Sequence, residues 1–251
     1  MSENNSILGR PAPDPDHTAR YGTDPEHVAD IWLPDPAAEP RPLIVLLHGG
    51  YWRPAYDRAH TRIMSAALRE AGWPVVAAEY RRVPGEPNLT TADIRTALDV
   101  LPGQVARLLD TTDPPIVLLG HSAGGQLALW ASVRCPPPRL RATIALAPVA
   151  DLRTAETAGL GDHAVAAFLG GRADARPDLD PVRLGTPAVP VTVVHGEQDR
   201  TVPVAIGRIY AAAHPRTRLV VVPEAGHFDV IDPLTPAWSW VLAELDRAGM
   251  R

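Results

Sequence analysis

Six largely apolar runs constrain this chain more than any other feature: Leu43–Leu47, Pro74–Ala78, Ile116–Leu119, Ala142–Ala147, Val191–Val194 and Leu219–Val222. None alternates apolar with polar residues. Such runs suit strands covered on both faces, as in a parallel sheet whose crossovers are helices. The intervening stretches carry helical spacing, at Arg58–Ala71, Thr90–Leu109, Gln126–Val133, Pro203–Ala213 and Pro236–Arg247. Pro102-Gly103 interrupts the second of these, which reads either as two helices or as one kinked helix. His27–Leu33 reads as an outer strand. Strand and helix in regular alternation imply a mostly parallel central sheet with helices on both faces. Residues 1–26, rich in Pro, Asp and Asn, read as a partly extended lead-in; 27–251 form one domain. Residues 148–188 are irregular, with a short helix expected near Ala164–Leu169, and are the candidate for a small cap or lid.

Composition narrows the chemistry. All 24 basic residues are arginine and the chain has no lysine. Schiff-base chemistry, a pyridoxal-phosphate anchor and a Walker A lysine are therefore excluded. A net charge of −5 and no basic run argue against nucleic-acid or anionic-membrane partners. The single cysteine, Cys135, can form neither an intrachain disulfide nor a cysteine-rich zinc site, and no His-based nucleophile pattern surrounds it. No metal and no cofactor is expected. The start of the chain is polar and no apolar run is long enough to span a membrane, so a cytoplasmic location is the expectation.

Where the run Ile116–Leu119 ends, the chain reads Gly120-His121-Ser122-Ala123-Gly124, a G-x-S-x-G pentapeptide between strand and helix. Small residues there permit a sharp turn that exposes a serine hydroxyl. A phosphate loop is the competing reading; the missing lysine and the spacing disfavour it. A serine needs a base. Downstream of Ser122 the histidines are His163, His195, His214 and His227. His227 follows the last strand, in the position where open α/β sheets place their ligands. His195 reads better as a buried hydrogen-bonded imidazole, and His214 as a residue late in a helix. Asp199, after the strand Val191–Val194, is the expected third member, with Glu197 as runner-up and Asp229 and Asp232 behind it. Donors for a developing oxyanion are expected from Gly50 and Tyr51, in the loop His48-Gly49-Gly50-Tyr51-Trp52, and from the N–H of Ala123. Trp52 reads equally as the wall of a small acyl pocket or as core beneath the loop, and His121 is a further pocket candidate.

These motifs, with Glu79-Tyr80-Arg81 and Gly226-His227-Phe228, resemble the kynurenine formamidase (arylformamidase) branch of the α/β-hydrolase superfamily over roughly residues 20–245. The resemblance implies the α/β-hydrolase fold and hydrolysis of N-formyl-kynurenine or a close aryl formamide through a formyl-Ser122 intermediate, as a step of tryptophan catabolism. Hormone-sensitive-lipase-type esterases are similar too; here Tyr51 stands for their third loop glycine and His121 for their elbow aspartate. The elbow departs from many formamidases in carrying Gln126 where histidine is common. A short-chain carboxylesterase is therefore the alternative, and a catalytically dead binding protein on the same fold is a third reading, disfavoured by the full Ser122, Asp199, His227 set. A lyase or perhydrolase using the same serine and histidine stays open. The expected partner is a small acyl substrate; a homodimer is left open, with Trp238 and Trp240 as either core or interface.

Overall fold

A computed structural model describes residues 5–249. Eight strands form one sheet: β1 (His17–Arg20), β2 (Val28–Trp32), β3 (Leu43–Leu47), β4 (Val75–Ala78), β5 (Ile116–His121), β6 (Leu140–Leu146), β7 (Val191–Gly196) and β8 (Arg218–Val222). Their order is β1-β2-β4-β3-β5-β6-β7-β8. β1 and β2, and β2 and β4, pair antiparallel; every other pair is parallel. This is the α/β-hydrolase fold. The helices are α1 (Arg62–Glu70), α2 (Pro87–Leu108), α3 (Ala123–Arg134), α4 (Leu152–Thr157), α5 (Leu160–Leu169), α6 (Val204–Ala213) and α7 (Ala237–Gly249). Two apolar clusters sandwich the sheet. Because side chains alternate along a strand, Val45 and Leu47 enter one cluster while Ile44 and Leu46 enter the other.

Three local expectations change. His27–Leu33 contains a strand, but it is not outermost: β1 lies beyond it, inside the stretch expected to be a lead-in. Its sequence, His-Thr-Ala-Arg, has no apolar run because an edge strand exposes much of its surface, and edge position also favours charge. The helix around Pro102 is neither split nor ended there. It begins at Pro87, a residue suited to a first helical turn, and its buried stripe Ile94, Leu98, Leu101, Val105 keeps its phase across Pro102. Packing of that stripe outweighs the hydrogen bond lost at Pro102. The 148–188 segment holds two helices rather than one. α4 is capped by Asp151, whose side chain accepts from the Thr154 N–H at 2.9 Å. α5 carries left-handed backbone at Gly161, Asp162 and His163, so its regular helical part is Ala164–Leu169, where the short helix was expected. Among the described residues no helix is long and apolar enough to cross a membrane. Trp238 is buried against the second cluster, whereas Trp240 is exposed.

Candidate active site

β5 sits between β3 and β6, so its carboxyl end is flanked by the loops that leave both. Ser122 follows directly, with φ 56° and ψ −117°, a conformation unfavourable for any residue with a Cβ. Backbone bonds hold it there: the Ser122 N–H donates to the Leu146 carbonyl at 2.8 Å, and its own carbonyl accepts from Gln126 and Val149. Two glycines permit the turn. A Cβ at Gly120 would lie 2.2 Å from the Gly124 carbonyl oxygen, and one at Gly124 would lie 2.1 Å from that of Leu47. The serine side chain makes no capping bond to α3. It lines a cavity of about 230 Å³ together with His227, Tyr51, His121, Thr201 and Phe228.

β7 and β8 run parallel, with Gly196 opposite Val222, so the loops that follow them emerge side by side. From the first comes Asp199 and from the second His227. His227 Nδ1 stands 2.7 Å from Asp199 Oδ2, and both side chains are almost fully buried. The other carboxylate oxygen, Oδ1, accepts from the backbone N–H groups of Thr201 at 2.9 Å and Val202 at 2.7 Å. Burial alone would raise this carboxyl, but the bonds from His195 and His227 prevail and hold it well below the usual carboxylate range. Asp199 is therefore ionised at neutral pH, as an acid that steadies an imidazolium must be.

His195 has a larger part in this site than its sequence context conveys. It is wholly buried, and its Nε2 lies 2.8 Å from the Val202 carbonyl oxygen and 3.2 Å from Asp199 Oδ2. Both neighbours accept, so Nε2 carries the proton, and His195 and His227 meet the same oxygen of Asp199. Only the His-Gly-Glu-Gln-Asp spacing of residues 195–199 hints at this, since four residues bring the loop back over the strand end. Of the remaining acidic candidates, Asp229 accepts from the Gly226 N–H and Asp232 pairs with Arg10. His214 meets the Pro181 carbonyl, and His163 is exposed. Cys135 ends α3, its thiol pushed up to about 11 by burial, which removes it as a nucleophile.

The Gly50-Tyr51-Trp52 backbone is left-handed throughout, at φ 108°, 52° and 54°. Ala123 opens α3, where first-turn N–H groups have no intrahelical acceptor and the helix dipole favours negative charge. The Tyr51 hydroxyl donates to the Thr201 carbonyl at 2.6 Å, tying the loop after β3 to the loop that carries the acid. Its ring also packs against Gly161 of α5; a Cβ there would lie 2.8 Å from the ring, which accounts for the left-handed glycine. Behind this loop, His48 Nε2 meets Glu79 Oε1 at 2.8 Å, and Glu79 pairs with Arg82.

Trp52 does not wall the cavity. It is buried, stacks on Phe168 of α5 with centroids 4.5 Å apart, and donates from Nε1 to Gln126 Oε1 at 3.2 Å. Gln126 in turn donates to the Leu179 carbonyl at 2.8 Å. The residue that departs from many formamidases is thus a buried strut beneath the site. His121 does line the cavity. Its Nε2 bonds the His227 carbonyl at 3.1 Å and its ring lies 4.6 Å from that of His227. Burial and the neighbouring His227 hold it well below the ordinary histidine value, so it stays neutral beside His227. Leu8, Arg53, Tyr56 and His60 complete the walls and were not singled out in the sequence.

A family model described as BD-FAE matches residues 29–212. The esterase LipC of Mycobacterium tuberculosis is 25% identical over 241 residues, covering 84% of this chain and 59% of LipC, so the chain spans about three fifths of that relative. The kynurenine formamidase of Danio rerio is 28% identical over 109 residues, covering 43% of this chain and 35% of the formamidase. Among solved structures, the propionate-bound esterase Est2 of Thermogutta terrifontis superimposes with a TM-score of 0.70 at 25% identity, covering 92% of each chain.

Proposed function

This chain belongs to the BD-FAE family, an esterase family on the α/β-hydrolase fold, and from that footing we propose that it is a serine hydrolase that removes a small acyl group from an ester. The observation that carries the reading is the 2.7 Å contact between His227 Nδ1 and Asp199 Oδ2 beside a cavity that Ser122 also lines. With Nδ1–H committed to the carboxylate, the remaining ring nitrogen, Nε2, is the one able to accept a proton. His227 takes the Ser122 proton as Oγ attacks the acyl carbon, and the N–H groups of Ala123 and of Gly50 or Tyr51 receive the oxyanion. His227 then gives that proton to the departing oxygen. An acyl-Ser122 intermediate remains, and water, deprotonated by His227, cleaves it. Asp199 stays ionised throughout and steadies the imidazolium.

A second reading keeps this machinery and changes the substrate to an aryl formamide such as N-formyl-kynurenine. The partial match to kynurenine formamidase favours it, as does the small cavity. Purified protein is assayed with phenyl acetate and N-formyl-kynurenine side by side, with Ser122→Ala as the blank. Turnover of phenyl acetate that disappears in Ser122→Ala supports the esterase. Turnover of the formamide with kcat/KM of at least about 10⁴ M⁻¹s⁻¹, an ordinary enzyme value, moves the assignment to a formamidase. Turnover undiminished in Ser122→Ala refutes the mechanism.

A further inference from the structure

Among the described residues, the walls of the catalytic cavity are unbalanced in charge. Arg53 lines it, and among the described residues no aspartate or glutamate does. The other titratable walls do not offset the guanidinium. His121 is held neutral, and desolvation with the nearby His48 pushes His60 down to about 4. Asp199 lies behind His227 and is engaged with it.

Arg53 is also unpaired in a way that sets it apart from its neighbours. Arg58, Arg62 and Arg82 each meet carboxylates. Arg53 instead donates from Nη2 to the carbonyls of Gly161 and, at 3.5 Å, Asp162. Carbonyl bonds orient the guanidinium but leave its charge uncompensated, and its Nε and Nη1 have no protein partner among the described residues. A guanidinium offers paired donors in one plane, the arrangement that fits a carboxylate. Its position is fixed from below as well, because the Arg53 N–H closes a turn on the Gly50 carbonyl at 3.0 Å. The group therefore rides on the same short loop as the candidate oxyanion donors. A cavity of about 230 Å³ is roughly 8 Å across as a sphere, so a substrate seated at Ser122 is within reach of that loop.

We propose that Arg53 is a specificity residue that recognises a carboxylate on the substrate, so that the natural substrates of this site are acyl compounds bearing an anionic group close to the scissile bond. This rests on the hydrolase reading above and adds the charge of the substrate to it. The carboxylate belongs either to the leaving group or to the acyl group. The guanidinium is held by its carbonyl bonds before a substrate arrives, so in both cases the interaction is made on binding and acts chiefly through KM.

Two matched pairs of esters test the proposal: 4-acetoxybenzoate against 4-acetoxybenzamide for the leaving group, and 4-nitrophenyl hydrogen adipate against its terminal amide for the acyl group. In at least one pair the acid is preferred in kcat/KM by tenfold or more, about 1.4 kcal/mol. Arg53→Gln lowers kcat/KM on that acid at least tenfold more than on its amide, Arg53→Lys recovers part of the preference, and added salt erodes it in the native protein. The pair that responds shows which side of the substrate bears the charge. The proposal is overturned if neither acid is preferred, or if Arg53→Gln weakens acid and amide alike, as loss of the bonds to Gly161 and Asp162 alone would do. Calorimetric titration of benzoate into Ser122→Ala protein reads the anion site without turnover: binding is expected, and Arg53→Gln added to that protein abolishes it. Failure of Ser122-dependent hydrolysis with every ester sinks the hydrolase reading instead, and the titration then still decides the role of Arg53.

Discussion

Replacing Asp199 by Asn keeps the shape of the acid and reverses the proton on the base. Oδ1 of Asp199 accepts two backbone N–H groups, from Thr201 at 2.9 Å and Val202 at 2.7 Å. An amide nitrogen placed there would face two donors, so the Asn oxygen must take that position and its NH₂ must point to His227 and His195. His227 Nδ1, now 2.7 Å from a donor, must give up its hydrogen and accept. The proton moves to Nε2, the atom that has to receive the Ser122 proton. Wrong-tautomer losses of this kind run to about 10⁴-fold in kcat, roughly 5.5 kcal/mol at 1.36 kcal/mol per decade. The stability cost is smaller, about 1–3 kcal/mol for charge-assisted bonds lost at a buried group. Phenyl acetate hydrolysis near pH 8, with urea denaturation as the control for folding, measures both. An Asp199→Asn protein that folds and keeps kcat within tenfold of the native value would refute the reasoning, because the carboxylate would then not be setting the tautomer.

Three further outcomes follow from the packing around the site. Gln126→Leu leaves the Trp52 indole N–H and the Leu179 carbonyl without their present buried partner; a loss of about 1–3 kcal/mol in unfolding free energy is expected, measured by urea titration. Gly124→Ala puts a methyl 2.1 Å from the Leu47 carbonyl oxygen and 2.3 Å from that of His48; overpacking against backbone should cost about 3 kcal/mol or more, read as a lowered Tm or loss of folded protein. Asp180 is buried, its Oδ2 has no partner among the described residues, and burial followed by repulsion from Asp151 pushes its carboxyl up to about 6. Because the folded value is raised, the penalty is absent below about pH 4, grows as pH rises to about 6 and then levels at about 3 kcal/mol. Asp180→Asn should therefore be the more stable protein at pH 8 and lose that advantage near pH 4, as shown by urea midpoints across the range.

The sequence carried the sheet and the candidate site to different depths, for physical reasons. Strands buried on both faces are apolar at nearly every position, so β3 and β4 stood out as runs. β1 exposes much of its surface at an edge and left no such trace. Ser122 was legible because the elbow tolerates only glycine at Gly120 and Gly124, a steric demand that writes itself into local sequence. Asp199 and His227 stood out as candidates because each lies in the loop just past a strand, and strand ends can be counted. The clamp of His195 on Asp199 was not legible as such. Its spacing puts His195 at the end of β7 and Asp199 in the loop that follows, but does not show that the imidazole turns onto the carboxylate rather than into the core. Trp52 was ambiguous for a related reason: a loop of left-handed residues gives no period from which to say which way a ring points. The stack on Phe168 comes from α5, about 115 residues further along the chain.

Arg53 brings these points together. The residues before it are candidate oxyanion donors through their backbone, and an arginine three residues past Gly50 passes as ordinary surface charge in a chain where every basic residue is arginine. What distinguishes it is a relation no local pattern encodes. The guanidinium leans on two carbonyls of the 148–188 segment, while the arginines around it find carboxylates. That segment therefore touches the site through Tyr51 on Gly161, Trp52 on Phe168 and Arg53 on the Gly161 carbonyl. All three contacts engage the loop after β3 that carries the candidate oxyanion donors. A change in α5 that shifts Gly161 should consequently move the donor loop and the charge of the cavity together. Substrate charge and oxyanion stabilisation would then vary as one property of this segment, rather than as two.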